Sequence, residues 1–149
     1  MVRPALLDVN LLIALCDPDH VHHELAHDWF ADNRRHGWAT CPATESGFLR
    51  VLSNPAYGSA VRRIPELTGL LRTFCSDSNH QFWAAGISLR DETILNPAVV
   101  AGHRQVADVY LLAVAKKHAG CLATFDRTIP LHAVIGADAS TLAVISAAT

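Results

Sequence analysis

Four acidic residues stand where acids are costly to bury: Asp8, Glu45, Asp108 and Asp126. Asp8 follows the apolar run Ala5-Leu6-Leu7, and Asp126 follows Cys121-Leu122-Ala123-Thr124-Phe125. Asp108 shares a helix face with Leu111, Leu112, Ala115 and Ala119, at offsets of three, four, seven and eleven. Glu45 stands in the same relation to Phe48, Leu49 and Leu52. Carboxylates gathered at one rim repel one another and lose hydration unless protons or cations neutralise them. A hard divalent ion with oxygen ligands is the natural neutraliser, and water-rich carboxylate sites suit Mg²⁺ or Mn²⁺. Such a centre supports hydrolysis by lowering the pKa of water.

Taken singly, each acid also has a purely structural reading. Asp8 could cap a helix starting at Val9. Glu45 lies in a first helical turn, where the helix dipole favours a negative charge. Asp126 could be a turn residue before Arg127, and Asp108 could pair with Arg104 four residues earlier. Only a fold that brings the four together would decide for chemistry.

The elements that must position them follow from periodicity and turn residues. Residues 5–7 read as a buried parallel strand, with a short helix over 9–15. A helix over 20–35 carries Val21, Leu25, Trp29 and Phe30 and stops at Gly37. Residues 38–41 predict a second strand, and Pro42 opens a helix that runs to Leu52. Residues 54–59 have turn chemistry, and 65–75 read as a helix. A weak strand at 82–84 and a helical region opening at Asn96-Pro97 precede a strong helix over 105–118, ended by Gly120. Residues 121–125 are a strand, with late strands at 133–135 and 142–145. Strands alternating with helices predict an α/β fold with a central, mostly parallel sheet. Asp8 and Asp126 then sit at carboxyl ends of strands, beyond which open α/β sheets bind ligands.

With 149 residues, 50% hydrophobic and 17% charged, the chain predicts one folded domain over 1–149 rather than a disordered segment. No apolar run approaches the ~20 residues that span a bilayer, which argues against a membrane protein. A carboxylate as early as Asp8 argues against a secretory signal, so a cytoplasmic protein is expected. A net charge of −2 means that any nucleic-acid contact needs a local basic patch. Arg62-Arg63, after the Tyr57-Gly58-Ser59 loop, is the favoured pair; Arg34-Arg35 and Lys116-Lys117 read as solvated helix ends. Cys16, Cys41, Cys75 and Cys121 are scattered and read as free thiols.

The stretch His23-Glu24-Leu25-Ala26-His27 formally matches the H-E-x-x-H zinc pattern. Zinc catalysis would need a further ligand downstream, and none stands at suitable spacing. No G-x-G-x-x-G follows the first strand, which disfavours a dinucleotide enzyme.

The segments Leu6-Leu7-Asp8-Val9-Asn10-Leu11-Leu12, Ala43-Thr44-Glu45-Ser46-Gly47-Phe48-Leu49-Arg50, Ala107-Asp108-Val109-Tyr110-Leu111 and Ala123-Thr124-Phe125-Asp126-Arg127 resemble the four acidic motifs of PIN domains. More narrowly, they resemble the VapC toxins of bacterial VapBC toxin–antitoxin modules. The resemblance implies a PIN-like three-layer α/β/α fold and a Mg²⁺- or Mn²⁺-dependent endoribonuclease. It further implies tRNA or ribosomal RNA as substrate, a VapB-type antitoxin as partner, and a homodimer. Asp8, Glu45, Asp108 and Asp126 match the acidic positions. On that reading Asp8 and Asp108 are the main metal ligands, with Asp126 direct or through water. Glu45 either joins the metal shell or orients the attacking water. Asn10 and Thr124 match polar positions beside the site, and Arg62 and Arg63 are the candidates for RNA contact. Two other readings are an Asp-pocket phosphatase or phosphate-handling switch, and a non-catalytic partner-binding scaffold. Asp8-Val9-Asn10 in place of Asp-x-Asp weakens the first, and four intact acids argue against the second.

Overall fold

The computed structural model describes residues 2–58 and 62–147. Five short strands run parallel in one sheet: β1 (Ala5–Leu7), β2 (Trp38–Thr40), β3 (His80–Phe82), β4 (Cys121–Thr124) and β5 (Leu142–Val144). Their order is β3-β2-β1-β4-β5. Ala5 faces Trp38 across one side of β1 and Cys121 across the other. Between the strands lie α1 (Val9–Cys16), α2 (His23–Asn33), α3 (Pro42–Leu52), α4 (Ile64–Phe74) and α5 (Val106–Lys117).

Successive strand residues point to opposite faces, and the chain fills both with apolar groups. Ala5, Leu7, Trp38 and Ala123 join Leu11, Phe30, Phe48 and Leu67 in one core under α1 to α4. Leu6, Ala39 and Leu122 meet Val109, Leu112 and Val114 of α5 in a second core. The result is the expected three-layer arrangement around a parallel sheet.

Several boundaries differ from the sequence reading, each for a non-local reason. The helix expected over 20–35 starts at His23 and ends in a 3₁₀ turn, Arg34–His36, closed by Gly37 at φ 93°. The third strand lies at His80–Phe82 rather than 82–84, because pairing sets His80 opposite Trp38. Trp83 then turns into the second core and stacks on His118. Residues 133–135 do not form a strand. Leu131–Ala133 is a 3₁₀ turn and Val134 makes one isolated antiparallel bridge to Leu95, because β5 already occupies the sheet edge beside β4. The region opening at Asn96-Pro97 is a single 3₁₀ turn, Pro97–Val99.

Gly120 does not end α5 by adopting a left-handed conformation; Ala119 does, at φ 56°. Ala119 is exposed and leaves the Asp108 stripe. Gly120 is needed for closeness instead: a Cβ there would lie 2.5 Å from both the Pro4 carbonyl oxygen and the Trp83 ring. The four cysteines are free, as expected. Burial pushes Cys16 up to about 12, so that thiol stays protonated. Among the described residues no helix is long and apolar enough to cross a membrane.

Candidate functional site

The strand order creates the site. From β1 the chain winds outward to β2 and β3 on one side, then jumps across to β4 and β5 on the other. The carboxyl ends of β1 and β4 therefore flank the point where the winding reverses, which is where open α/β sheets bind ligands. Asp8 follows β1 directly and Asp126 lies two residues past β4. Asp108, in the first turn of α5, completes the group. Asp8, Asn10, Asp108, Thr124 and Asp126 line one cavity of about 290 Å³, with Arg50 and Phe125 on its wall.

Each aspartate is held differently. Asp8 is 7% exposed and caps α1, accepting from the Val9 backbone N–H at 2.7 Å. Its other oxygen accepts from the Thr124 hydroxyl at 2.6 Å. Burial raises its pKa despite these two hydrogen bonds, with the charge of Asp126 adding to the rise. Thr124 also accepts from the Asp126 backbone N–H at 3.0 Å, so one hydroxyl ties both strand ends together. Asp126 accepts from the side chain and backbone N–H of Thr128, which hold its pKa low and keep it ionised. Asp108 is pushed up to about 6, first by burial, then by the charges of Asp8 and Asp126.

That electrostatic conflict favours a cation at this place. Three oxygen donors that resist ionising together suit a hard divalent ion, which would remove the conflict. Among the described residues no three ligand-type side chains already stand close enough to hold an ion as they are. Arg104 does not neutralise Asp108, because the one ion pair among the described residues joins Arg34 to Asp77, at 2.9 Å.

Glu45 is placed apart from the three aspartates. Its Oε2 accepts from the Thr40 hydroxyl at 2.8 Å, and Nε2 of His80 lies 2.8 Å from the same hydroxyl oxygen. Thr40 has one proton, and gives it to Glu45; it must therefore accept from His80, which puts the imidazole proton on Nε2. Burial lowers the His80 pKa and keeps that ring neutral. The neighbouring Cys75 thiol is pushed up to about 11 by burial and then by the negative charge of Glu45. The helix offers Arg50 and Val51 to the cavity, five and six residues on from Glu45 and so on another side of α3.

The remaining candidates fall outside the cavity. Arg62 lines a second hollow of about 270 Å³ with Asp17, His20 and Tyr57. The Tyr57 hydroxyl donates to Asp17 there at 2.6 Å. Arg63 is the N-cap residue of α4. The zinc-like pair has a structural role. His23 Nδ1 lies 2.7 Å from the Ala14 carbonyl oxygen and His27 Nε2 2.9 Å from that of Leu15. These rings satisfy the last-turn carbonyls of α1 and have no nitrogens converging on an ion. Sequence reasoning passed over Arg50 and Phe125 as site residues. The available signal for Arg50 was a cation set among Phe48, Leu49, Val51 and Leu52.

A parallel sheet of this order with aspartates at its reversal point defines the class, and the chain belongs to the PIN-domain family, whose model matches residues 5–134. It is similar to Ribonuclease VapC44 of Mycobacterium tuberculosis, at 41% identity over 141 residues, covering 95% of this chain and 99% of the relative. Ribonuclease VapC38 of the same organism is 40% identical over 122 residues, covering 82% and 84%. The crystal structure of M. tuberculosis VapC20, a toxin described as cleaving the sarcin–ricin loop, superposes with a TM-score of 0.60. That match covers 88% of this chain and 96% of the other at 11% identity, and it shows the fold.

Proposed function

We propose that this chain is the endoribonuclease toxin of a VapBC-type toxin–antitoxin module, acting as one domain over residues 1–149. The observation that carries the reading is the convergence of Asp8, Asp108 and Asp126 on one cavity, with Asp108 raised to about 6 by burial and then by the other two charges. The similarity to VapC ribonucleases over nearly the whole chain supports the same reading.

In this mechanism Asp8 and Asp108 would hold Mg²⁺ or Mn²⁺, with Asp126 direct or through water, and the ion would supply Lewis acidity that eases deprotonation of water and offsets charge on the phosphoryl oxygens. Thr124 fixes the Asp8 carboxylate and the backbone at Asp126, so the two strand ends keep their spacing while RNA binds. Asn10, exposed at the start of α1, hydrogen-bonds substrate or water. Glu45, held by Thr40 and His80 apart from the aspartates, steadies α3 beside the cavity rather than touching the attacking water. Water attack leaves a 3′-hydroxyl and a 5′-phosphate and does not require the RNA 2′-hydroxyl. Arg62 and Arg63 contact the RNA backbone beyond the cavity. The working form is a cytoplasmic homodimer that cuts tRNA or ribosomal RNA and is silenced by a VapB-type antitoxin.

The test is cleavage of structured RNA by the purified protein with Mg²⁺ or Mn²⁺, with and without EDTA, beside folded Asp8→Asn and Asp108→Asn variants. Metal-dependent cutting lost in both variants is the expected result. Cutting that survives both substitutions would overturn the site.

A further inference from the structure

A cavity walled by three carboxylates repels the polyanion it is meant to cut. A resident cation answers part of that problem, and the cavity wall itself supplies a second positive group. Arg50 is exposed on this wall. Among the described residues no hydrogen bond or ion pair engages its guanidinium; the local bond to Arg50, from Ser53, uses its backbone oxygen. Nor is its charge among those acting on the Asp8, Asp108 and Asp126 carboxyls. A guanidinium on the rim of the cavity that is not paired to its aspartates keeps its planar fork of donors free for a phosphodiester.

Phe125 of this cavity meets two histidine rings, one tilted and one stacked. The His22 ring lies 4.7 Å from Phe125 at an interplanar angle of 35°, and His20 lies 6.4 Å from Phe125 at 21°. Phe125 lines the cavity, and His22 is exposed. No hydrogen bond among the described residues uses the His22 ring, since that residue bonds through its backbone N–H to His20. An aromatic ring pair with its outer ring in solvent is a platform for a nucleobase, and it serves any base because each has a π-face.

We infer that Arg50 and the His22–Phe125 ring pair form a nucleotide subsite on the rim of the acidic cavity, the guanidinium taking a phosphodiester and the exposed ring taking the base beside it. The substrate presented to this site is therefore an unstacked, single-stranded stretch of RNA. Bases within a duplex are covered by their neighbours and unavailable to the platform. The inference rests on the nuclease reading for the acids, but its test reads binding rather than cleavage.

The experiment uses the non-cleaving Asp8→Asn protein and a pool of short, fluorescein-labelled single-stranded RNAs of randomised sequence, titrated over a range of salt. Arg50→Gln in this background is expected to weaken binding about tenfold and to flatten the plot of log affinity against log salt by about 0.7. Arg50→Lys keeps the salt slope and recovers part of the affinity. His22→Ala weakens binding about fivefold and leaves the slope unchanged, as loss of stacking without loss of charge requires. The same pool annealed to its complements binds more weakly than the single strands. Both side chains are exposed, so circular dichroism and the melting temperature should match those of the parent. An unchanged slope in Arg50→Gln, or equal affinity for duplex and single strands, would overturn the subsite even if the wild-type protein cuts RNA. A wild-type protein that cuts no RNA while the variants shift binding as described would refute the nuclease reading and uphold the subsite.

Discussion

Replacing Asp108 with asparagine should stabilise the metal-free protein while removing its activity. The carboxyl rises from 3.8 to about 6 because burial and the charges of Asp8 and Asp126 oppose its ionisation. The folded state therefore holds this proton more tightly than the unfolded chain, and stability falls as pH rises through about 6. Two units of difference correspond to about 3 kcal/mol at most. Asp108 is only half-buried, so screening by solvent reduces this to about 1 kcal/mol. Asparagine keeps the shape and never carries the charge. In EDTA at pH 7.5, Asp108→Asn should be more stable than wild type by about 1 kcal/mol, or about 3 °C in Tm. The difference should close below about pH 4, where the wild-type carboxyl is protonated in both states. Adding Mg²⁺ should reverse the order, because ligand binding stabilises only the protein that binds it. Thermal and urea denaturation followed by circular dichroism across pH 4 to 8 reads all three effects. A variant less stable than wild type in EDTA at pH 7.5, or one whose advantage does not change with pH, would refute the reasoning.

Other substitutions test the supports of the site. Thr40→Val should cost about 1 to 3 kcal/mol in urea denaturation, because it strands Glu45 and His80 around a fully buried position; Thr40→Ser should restore most of it. Gly47→Ala should cost about 1 to 3 kcal/mol by overpacking, since its Cβ would lie 2.7 Å from Val9 Cγ2. Gly120→Ala should be the worse of the two, failing to yield folded protein on expression, because one of its clashes is with backbone. Glu24→Gln should leave metal-dependent cleavage unchanged and calorimetric zinc titration should show no specific site on α2, whereas His23→Ala should lower stability by about 1 kcal/mol through the lost carbonyl partner.

The parts of the site that depend on local pattern were readable from residues alone. A carboxylate after a short apolar run, as at Asp8 and Asp126, lies at a strand end whatever the strand pairs with. The stripe of Leu111, Leu112 and Ala115 likewise turns Asp108 inward regardless of its neighbours. Glu45 has the same local signal, yet its carboxylate is captured by Thr40 and His80, the latter 35 residues further along the chain and brought near only by pairing of β2 with β3. The edge strand β3 carries His80 and Gln81 and exposes Phe82, so it lacks the apolar run that marked β1 and β4. Residues 133–135 have such a run, but the place beside β4 is taken by β5. Ala133 and Val134 serve the α5 core instead, and Ile135 is exposed. Arg50 was passed over because its one local signal, a cation among Phe48, Leu49, Val51 and Leu52, does not tell a cavity wall from open solvent.

The hydrogen bond from Thr124 to Asp8 joins residues 116 positions apart, and β1 reaches its mature place only when β4 arrives to flank it. During synthesis, a nascent chain presents Asp8 and later Asp108 without the strand that unites them. The cavity closes only after the stretch through Asp126 and its Thr128 anchor has cleared the ribosome. The acidic cavity is thereby incomplete for as long as the chain is still being made. Fragments that end before β4 lack the cavity for the same reason, since Thr124 and Asp126 are missing from them.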